Sequence, residues 1–196
     1  MATNIEIEAK VLISKDDYDK LISVYDRKKS DEFDQINYYI ESDNLDLKSL
    51  GIGLRIRNKS QIFQMTLKAP LSEGLLEKNA FISFEQYEDF KEKGIFPDCS
   101  IQEFVRMLGF DPEQLKIVAQ LKTHRVEIPL DDGKHILSID RNEYNGITDY
   151  ELEMNSNSLL RAKNKLQEIC DDNAVPYKDN SHSKQTRCLE TIMKTK

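Results

Sequence analysis

The sequence predicts an α+β fold that is mainly β: about eight antiparallel strands, able to close into a barrel, with flanking helices. Three observations carry this. Apolar and charged residues alternate with a period of two through much of the chain. Short turns separate neighbouring strand-like runs. Helix-period segments with capping residues interrupt and follow those runs.

Residues 4–13 (NIEIEAKVLI) alternate and read as the first strand. Ser14 with Asp17 fits a helix N-terminus, with the helix running to about Arg27. Residues 33–41, 52–58 and 61–69 read as strands, with Lys59-Ser60 as a tight turn, and 75–82 as a further strand. Ser83–Lys93 and Ser100–Leu108 read as helices. Ser83/Gln86 and Ser100/Glu103 are their capping boxes, and Gly94 and Gly109 their stops. Strands return at about 115–129, 134–141 and 147–154, with Asp132-Gly133 as a hairpin turn. Helices follow from about Ser158 to Asp172 and from Ser183 to Lys194. With no linker and no repeat, residues 1–196 read as one domain.

Hydrophobic residues are 39% and charged residues 32% of the chain, enough apolar material for a core. A net charge of −7 argues against a general nucleic-acid binder. No apolar run reaches the roughly 20 residues of a membrane span, and the N-terminus lacks a signal-peptide core. The three cysteines, Cys99, Cys170 and Cys188, fit neither a disulfide framework nor a metal clip. The expected compartment is the reducing cytoplasm.

The charged strand faces point to chemistry. Glu6, Glu8 and Lys10 oppose Ile5, Ile7, Ala9 and Val11; Arg55 and Arg57 oppose Leu54 and Ile56. Lys68 follows the same rule, as do Arg125, Asp140, Glu151 and Glu153. Carboxylates gather on the first and last strands and cations on the middle ones. An open sheet with one solvated face would show the same alternation. If helices cover the apolar face of a closed barrel, the charges are confined together. Carboxylate oxygens suit a hard cation, and guanidinium and ammonium groups suit phosphate. The two sets together read as a site for a metal-bound polyphosphate.

Glu6-Ile7-Glu8-Ala9-Lys10 matches an ExExK signature. It is followed in order by Leu54-Arg55-Ile56-Arg57, Thr66-Leu67-Lys68, Thr123-His124-Arg125, Ser138-Ile139-Asp140, Tyr150-Glu151-Leu152-Glu153 and Ser183-Lys184. This ordered set, over about residues 5–187, resembles the CYTH superfamily of triphosphate tunnel metalloenzymes, and most closely its bacterial YjbK-type members. The resemblance implies an eight-stranded antiparallel barrel forming a tunnel. It implies that Glu6, Glu8, Asp140, Glu151 and Glu153 hold Mg²⁺ or Mn²⁺. It gives Lys10, Arg55, Arg57, Lys68, Arg125 and Lys184 to the phosphates, with Arg187 as a weaker addition. Glu6, Glu8, Lys10, Arg55, Arg57, Lys68 and Arg125 form the implied catalytic set. Glu77 occupies a position where members often carry a further acid. Some family triphosphatases carry a tunnel Lys where this chain has Thr123, so a Lys-assisted water is not expected here.

The implied activity is a metal-dependent triphosphatase acting on inorganic triphosphate or a small organic triphosphate such as thiamine triphosphate. An adenylate cyclase and a non-catalytic polyphosphate- or nucleotide-binding protein are the alternatives. The expected partner is a small triphosphate, with no nucleic acid and no membrane, and a homodimer is compatible with the reading. His124, His135 and His182 lie far apart and read as packed or surface residues. Tyr38 and Tyr39 read as strand packing. Gly51-Ile52-Gly53, without a GK[ST] ending, reads as the start of a strand.

Overall fold

A computed structural model describes residues 2–25, 30–72, 74–130, 135–180 and 182–193. The expected Asp132-Gly133 turn lies outside the described residues. The strands are β1 (Ala2–Glu6), β2 (Glu8–Ile13), β3 (Asp31–Glu41), β4 (Gly53–Lys59), β5 (Ile62–Pro70), β6 (Leu75–Ile82), β7 (Lys116–Leu130), β8 (His135–Tyr144) and β9 (Ile147–Asn155). The helices are α1 (Lys15–Val24), α2 (Asp46–Ser49), α3 (Phe84–Lys93), α4 (Ser100–Met107), α5 (Leu159–Asp172) and α6 (Lys184–Met193). A 3₁₀ turn at Pro112–Gln114 leads into β7.

The strands form one antiparallel sheet in the order β1-β6-β5-β4-β3-β7-β8-β9-β2. The two outermost strands are consecutive in the chain. β1 pairs with β6 (Asn4 opposite Glu77) and β2 with β9 (Lys10 opposite Glu153). The alternating run at the N-terminus is therefore two strands, which raises the expected eight to nine. It changes partner at Ile7, whose carbonyl accepts from Ser156 N–H at 3.1 Å. One stretch of chain thus holds both edges, and the sheet curls into a nearly closed barrel.

The apolar strand faces point outward and the helices cover them. α1 and α5 pack Leu21, Leu166 and Ile169 against Val11, Leu137, Ile139 and Leu152. On the opposite flank, Tyr87, Phe90, Ile101 and Val105 cover Leu54, Ile56, Met65 and Leu67. Each fully buried side chain of this kind contributes about 1.5–3 kcal/mol. Ile5 departs from the expected packed face: it is 64% exposed. It lies on β1, before the change of partner, and belongs to neither packed cluster. α6 packs Cys188 and Leu189 against Tyr39, Leu121 and Tyr144. These three lie on the interior face, as the alternation of β3, β7 and β8 dictates, so α6 stops one end of the barrel.

Ser14 caps α1 by accepting from Asp17 N–H at 3.1 Å. Both halves of the Ser83/Gln86 box form, and Gly94 ends α3 at φ 71°. The expected Ser100/Glu103 box does not form, because Ser100 is already helical and Cys99 is the N-cap. The β4–β5 turn is Ser60-Gln61, at φ 52° and 65°, one residue beyond the expected pair. Lys59 stays in the ladder opposite Ile62. α2 is a single turn without a sequence period and was not expected.

Candidate active site in the barrel interior

The strand alternation turns the charged residues into a cavity of about 400 Å³ inside the barrel. Glu6, Glu8, Lys10, Arg55, Arg57, Lys68, Glu77, Arg125, Glu153 and Lys184 all line it. Asp140 and Glu151 lie behind that surface with 0% exposure. Arg187, on α6, does not line the cavity but joins the same ion-pair network.

Three environments divide the interior. On the β7–β8–β9 side, Asp140, Glu151 and Glu153 each place a carboxylate oxygen within 4.8 Å of the others. Registers Arg125 opposite Asp140 and Asp140 opposite Glu151 produce this cluster. Arg125 forks onto Asp140 through Nε at 2.7 Å and an NH2 nitrogen at 2.6 Å, and reaches Glu153 at 2.5 Å. The Lys184 ammonium lies 2.8 Å from Asp140, 2.6 Å from Glu151 and 2.5 Å from Glu153. Burial alone would raise the Glu153 carboxyl, but Lys184, Arg125 and Lys10 hold it well below the usual carboxylate range. Burial alone would likewise lower Lys184, and the three carboxylates raise it.

Arg187 closes the network from α6. It donates to Asp149 at 2.8 and 3.1 Å and to Glu151 at 3.2 and 3.1 Å. Asp149 was missed in the sequence, although it shares the alternation of Glu151 and Glu153. Gln35 and Asn37, also lining the cavity, were missed too; on β3 they alternate with Ile36 and Tyr38.

At the junction of the N-terminal strands, Lys68 pairs with Glu6 and with Glu77 at 3.3 Å, and Lys10 pairs with Glu8 at 2.6 Å. Gly74 adjoins this junction at φ +77°, and a Cβ there would lie 2.6 Å from the Glu6 carbonyl oxygen.

The β4 wall is different. Arg55 and Arg57 have no ion pair among the described residues; Arg57 Nε donates to Asn37 at 3.1 Å, and Arg55 Nε is buried without a hydrogen-bond partner. Burial, then Arg55 and Arg125, lowers the Arg57 guanidinium to about 9. Both guanidinium groups face the cavity without an ion pair among the described residues.

Thr123 has 0% exposure and its hydroxyl donates to Asn142 at 2.8 Å, so it offers no free group to the cavity. Lys122 is exposed on the outer face. His124 is on the outer face beside Glu32 and Asp34. Among the described residues, no helix is long and apolar enough to cross a membrane.

A nearly closed antiparallel barrel that encloses facing sets of carboxylates and cations is the frame for the comparisons with known proteins. The chain belongs to the CYTH domain family, which it matches over residues 4–186. It is 25% identical over 182 residues to YjbK of Bacillus subtilis (strain 168), a candidate triphosphatase, with 93% of each chain covered. The crystal structure of a candidate adenylate cyclase from Bacillus halodurans superposes at a TM-score of 0.85 with 35% identity, covering 95% of this chain and 98% of that one. HpAC1 of Hippeastrum, a candidate adenylyl cyclase with a dominant triphosphatase activity, shares the fold at a TM-score of 0.80 and 22% identity, covering 95% and 96%.

Proposed function

We propose that the protein is a divalent-metal-dependent triphosphatase that cleaves the terminal phosphoanhydride of inorganic triphosphate or a small organic triphosphate. The observation that carries this is the Arg55–Arg57 pair, two cations without an ion pair among the described residues, in a cavity of about 400 Å³ that also presents Glu6, Glu8 and Glu153. Family membership and the candidate triphosphatase relative support the same reading.

The donor set fits a hard cation. All five candidate ligands are carboxylates, and three of them converge within 4.8 Å. Glu6, Glu8 and Glu153 would hold Mg²⁺ or Mn²⁺ from the cavity side, with Asp140 and Glu151 behind them. When bound, the metal supplies positive charge that neutralises the terminal phosphoryl group. Arg55 and Arg57 bind phosphate oxygens, each able to fork onto two. Lys68, on β5 beside the β4 arginines, and Lys10, on β2 opposite Glu153, orient the chain of phosphates. Activation of the attacking water would fall to the ion or to a carboxylate, a role that Thr123 cannot take with its hydroxyl committed to Asn142. The charge concentrated around the phosphoryl group stabilises an in-line transition state.

The Bacillus halodurans relative brings adenylate cyclase forward as the competing reading. One assay separates them. The purified protein is incubated with tripolyphosphate, thiamine triphosphate or ATP, with Mg²⁺ or Mn²⁺, and phosphate, pyrophosphate and cyclic AMP are measured. Phosphate release from tripolyphosphate supports the triphosphatase. Cyclic AMP with pyrophosphate from ATP, and no turnover of tripolyphosphate, overturns it.

A further inference from the structure

The amine of Lys184 occupies the position that a cation among Asp140, Glu151 and Glu153 would take. It touches all three carboxylates, at 2.5–2.8 Å. It also lines the cavity, whereas Asp140 and Glu151 have no exposure at all. A divalent ion reaching those two carboxylates would share their oxygens with an ammonium a few ångströms away. Like charges at that separation repel strongly in a poorly solvated interior. The oxygens that solvate the amine are also the ones the ion needs.

We infer that Lys184 is a tethered counter-cation, which a divalent ion displaces from the Asp140–Glu151–Glu153 cluster, and that its departure loosens α6 from the barrel. The inference rests on the metal-dependent reading above and adds the order of events and the moving part. Arg125 also neutralises Asp140 and Glu153, but it projects from the middle of β7, where pairing to β3 and β8 fixes the backbone. Lys184 begins a helix, whose first turn can shift without breaking a sheet ladder. The Arg187 pairs and the Asn145–Thr191 hydrogen bond at 2.7 Å are then the polar contacts left to hold α6, so the helix opens transiently rather than detaching. Lys184 thereby has a positioning role: it keeps the acidic cluster neutral and the helix docked until an ion arrives.

Cys188 reports the movement. It lies one turn beyond Lys184, has 0% exposure, and its Sγ is 3.8 Å from the Gln120 carbonyl. In the docked state it is shielded from reagents. The experiment measures thiol-reagent labelling of Cys188, resolved by peptide mass spectrometry, on the whole protein with and without saturating Mn²⁺. A parallel titration measures Mn²⁺ affinity for wild type and Lys184→Met. The expected result is at least ~10-fold faster labelling with Mn²⁺, as the open population rises. Lys184→Met should bind Mn²⁺ at least ~10-fold more tightly, because the competing charge is gone. If the variant fails to fold, the wild-type labelling alone decides. Mn²⁺ binding with no faster Cys188 labelling overturns the tethered-cation inference while leaving metal dependence standing. No Mn²⁺ binding by either protein overturns both.

Discussion

Arg57 stands two residues from Arg55 on the same interior face of β4, and burial together with that neighbour lowers its guanidinium to about 9. The sign follows directly. A folded value below the ordinary arginine range means that the charged form is disfavoured in the ligand-free fold, and at neutral pH that cost is fully present. Arg57→Met should therefore raise the melting temperature of the free protein. It should also lower kcat/KM for tripolyphosphate by about 10²–10³-fold, the scale of one lost electrostatic stabiliser. Thermal melts with and without tripolyphosphate check both halves. A lower melting temperature together with unchanged kinetics would contradict the assignment.

In the β2–β9 ladder Glu8 is opposite Asn155 and Lys10 is opposite Glu153, with the Lys10 amine 2.6 Å from Glu8. Glu8→Gln or Glu153→Gln is expected to lower kcat by at least ~100-fold. Excess EDTA should abolish phosphate release, with Mg²⁺ or Mn²⁺ restoring it. Full activity in EDTA would remove the metal from the reading.

The acid limb of the stability curve should come from the α6 network. Burial raises the Asp149 carboxyl, but hydrogen bonds from Arg187 and Tyr144 lower it below its ordinary value, and Glu153 is held lower still by Lys184 and Arg125. Depressed folded values give stability that is present above the unfolded range and lost as pH falls through the folded values. As these two carboxylates take up protons, urea denaturation should show stability weakening below about pH 4.5. Arg187→Gln should lower stability at neutral pH and make the acid limb shallower. An unchanged slope would place the acid sensitivity elsewhere.

Gly74 packs its backbone directly against that of Glu6. Its φ of +77° and the 2.6 Å approach of a Cβ to the Glu6 carbonyl oxygen leave no room for a side chain. Gly74→Ala should cost about 1–3 kcal/mol of stability. Activity should fall with it, since Glu6 and its Lys68 pair must move. Chemical denaturation and steady-state kinetics on one preparation measure both. Unchanged stability would show that the turn can rearrange away from Glu6.

Much of this was legible in the chain because strand alternation is strictly local. Arg55 and Arg57, or Glu151 and Glu153, share a face whatever their partners are. The barrel interior followed from those faces once their apolar counterparts were read as helix-covered. The change of partner at Ile7 was not legible, because it is set by which sheet edge lies nearer and residues 4–13 keep one period throughout. The place of Lys184 was hidden for a similar reason. A lysine at a helix start carries no sign that three carboxylates from β8 and β9 enclose its amine. Ser100 shows the limit of motif spacing: the capping pattern is present, but the helix begins one residue earlier than the pattern requires.

The splice at Ile7 also sets the folding problem. Glu8 meets Asn155 across 147 residues of chain, the longest-range pairing of the sheet among the described residues. Neither local propensity nor hairpin zipping can bring those ends together early. Loop-closure entropy grows with length, and ladders of such high contact order form slowly. In chain order β2 comes before every strand of the sheet except β1, yet its partner β9 comes after all the others. Until the two pair, its exposed edge needs protection from pairing with other chains, and Glu8 and Lys10 bring charge to that waiting edge.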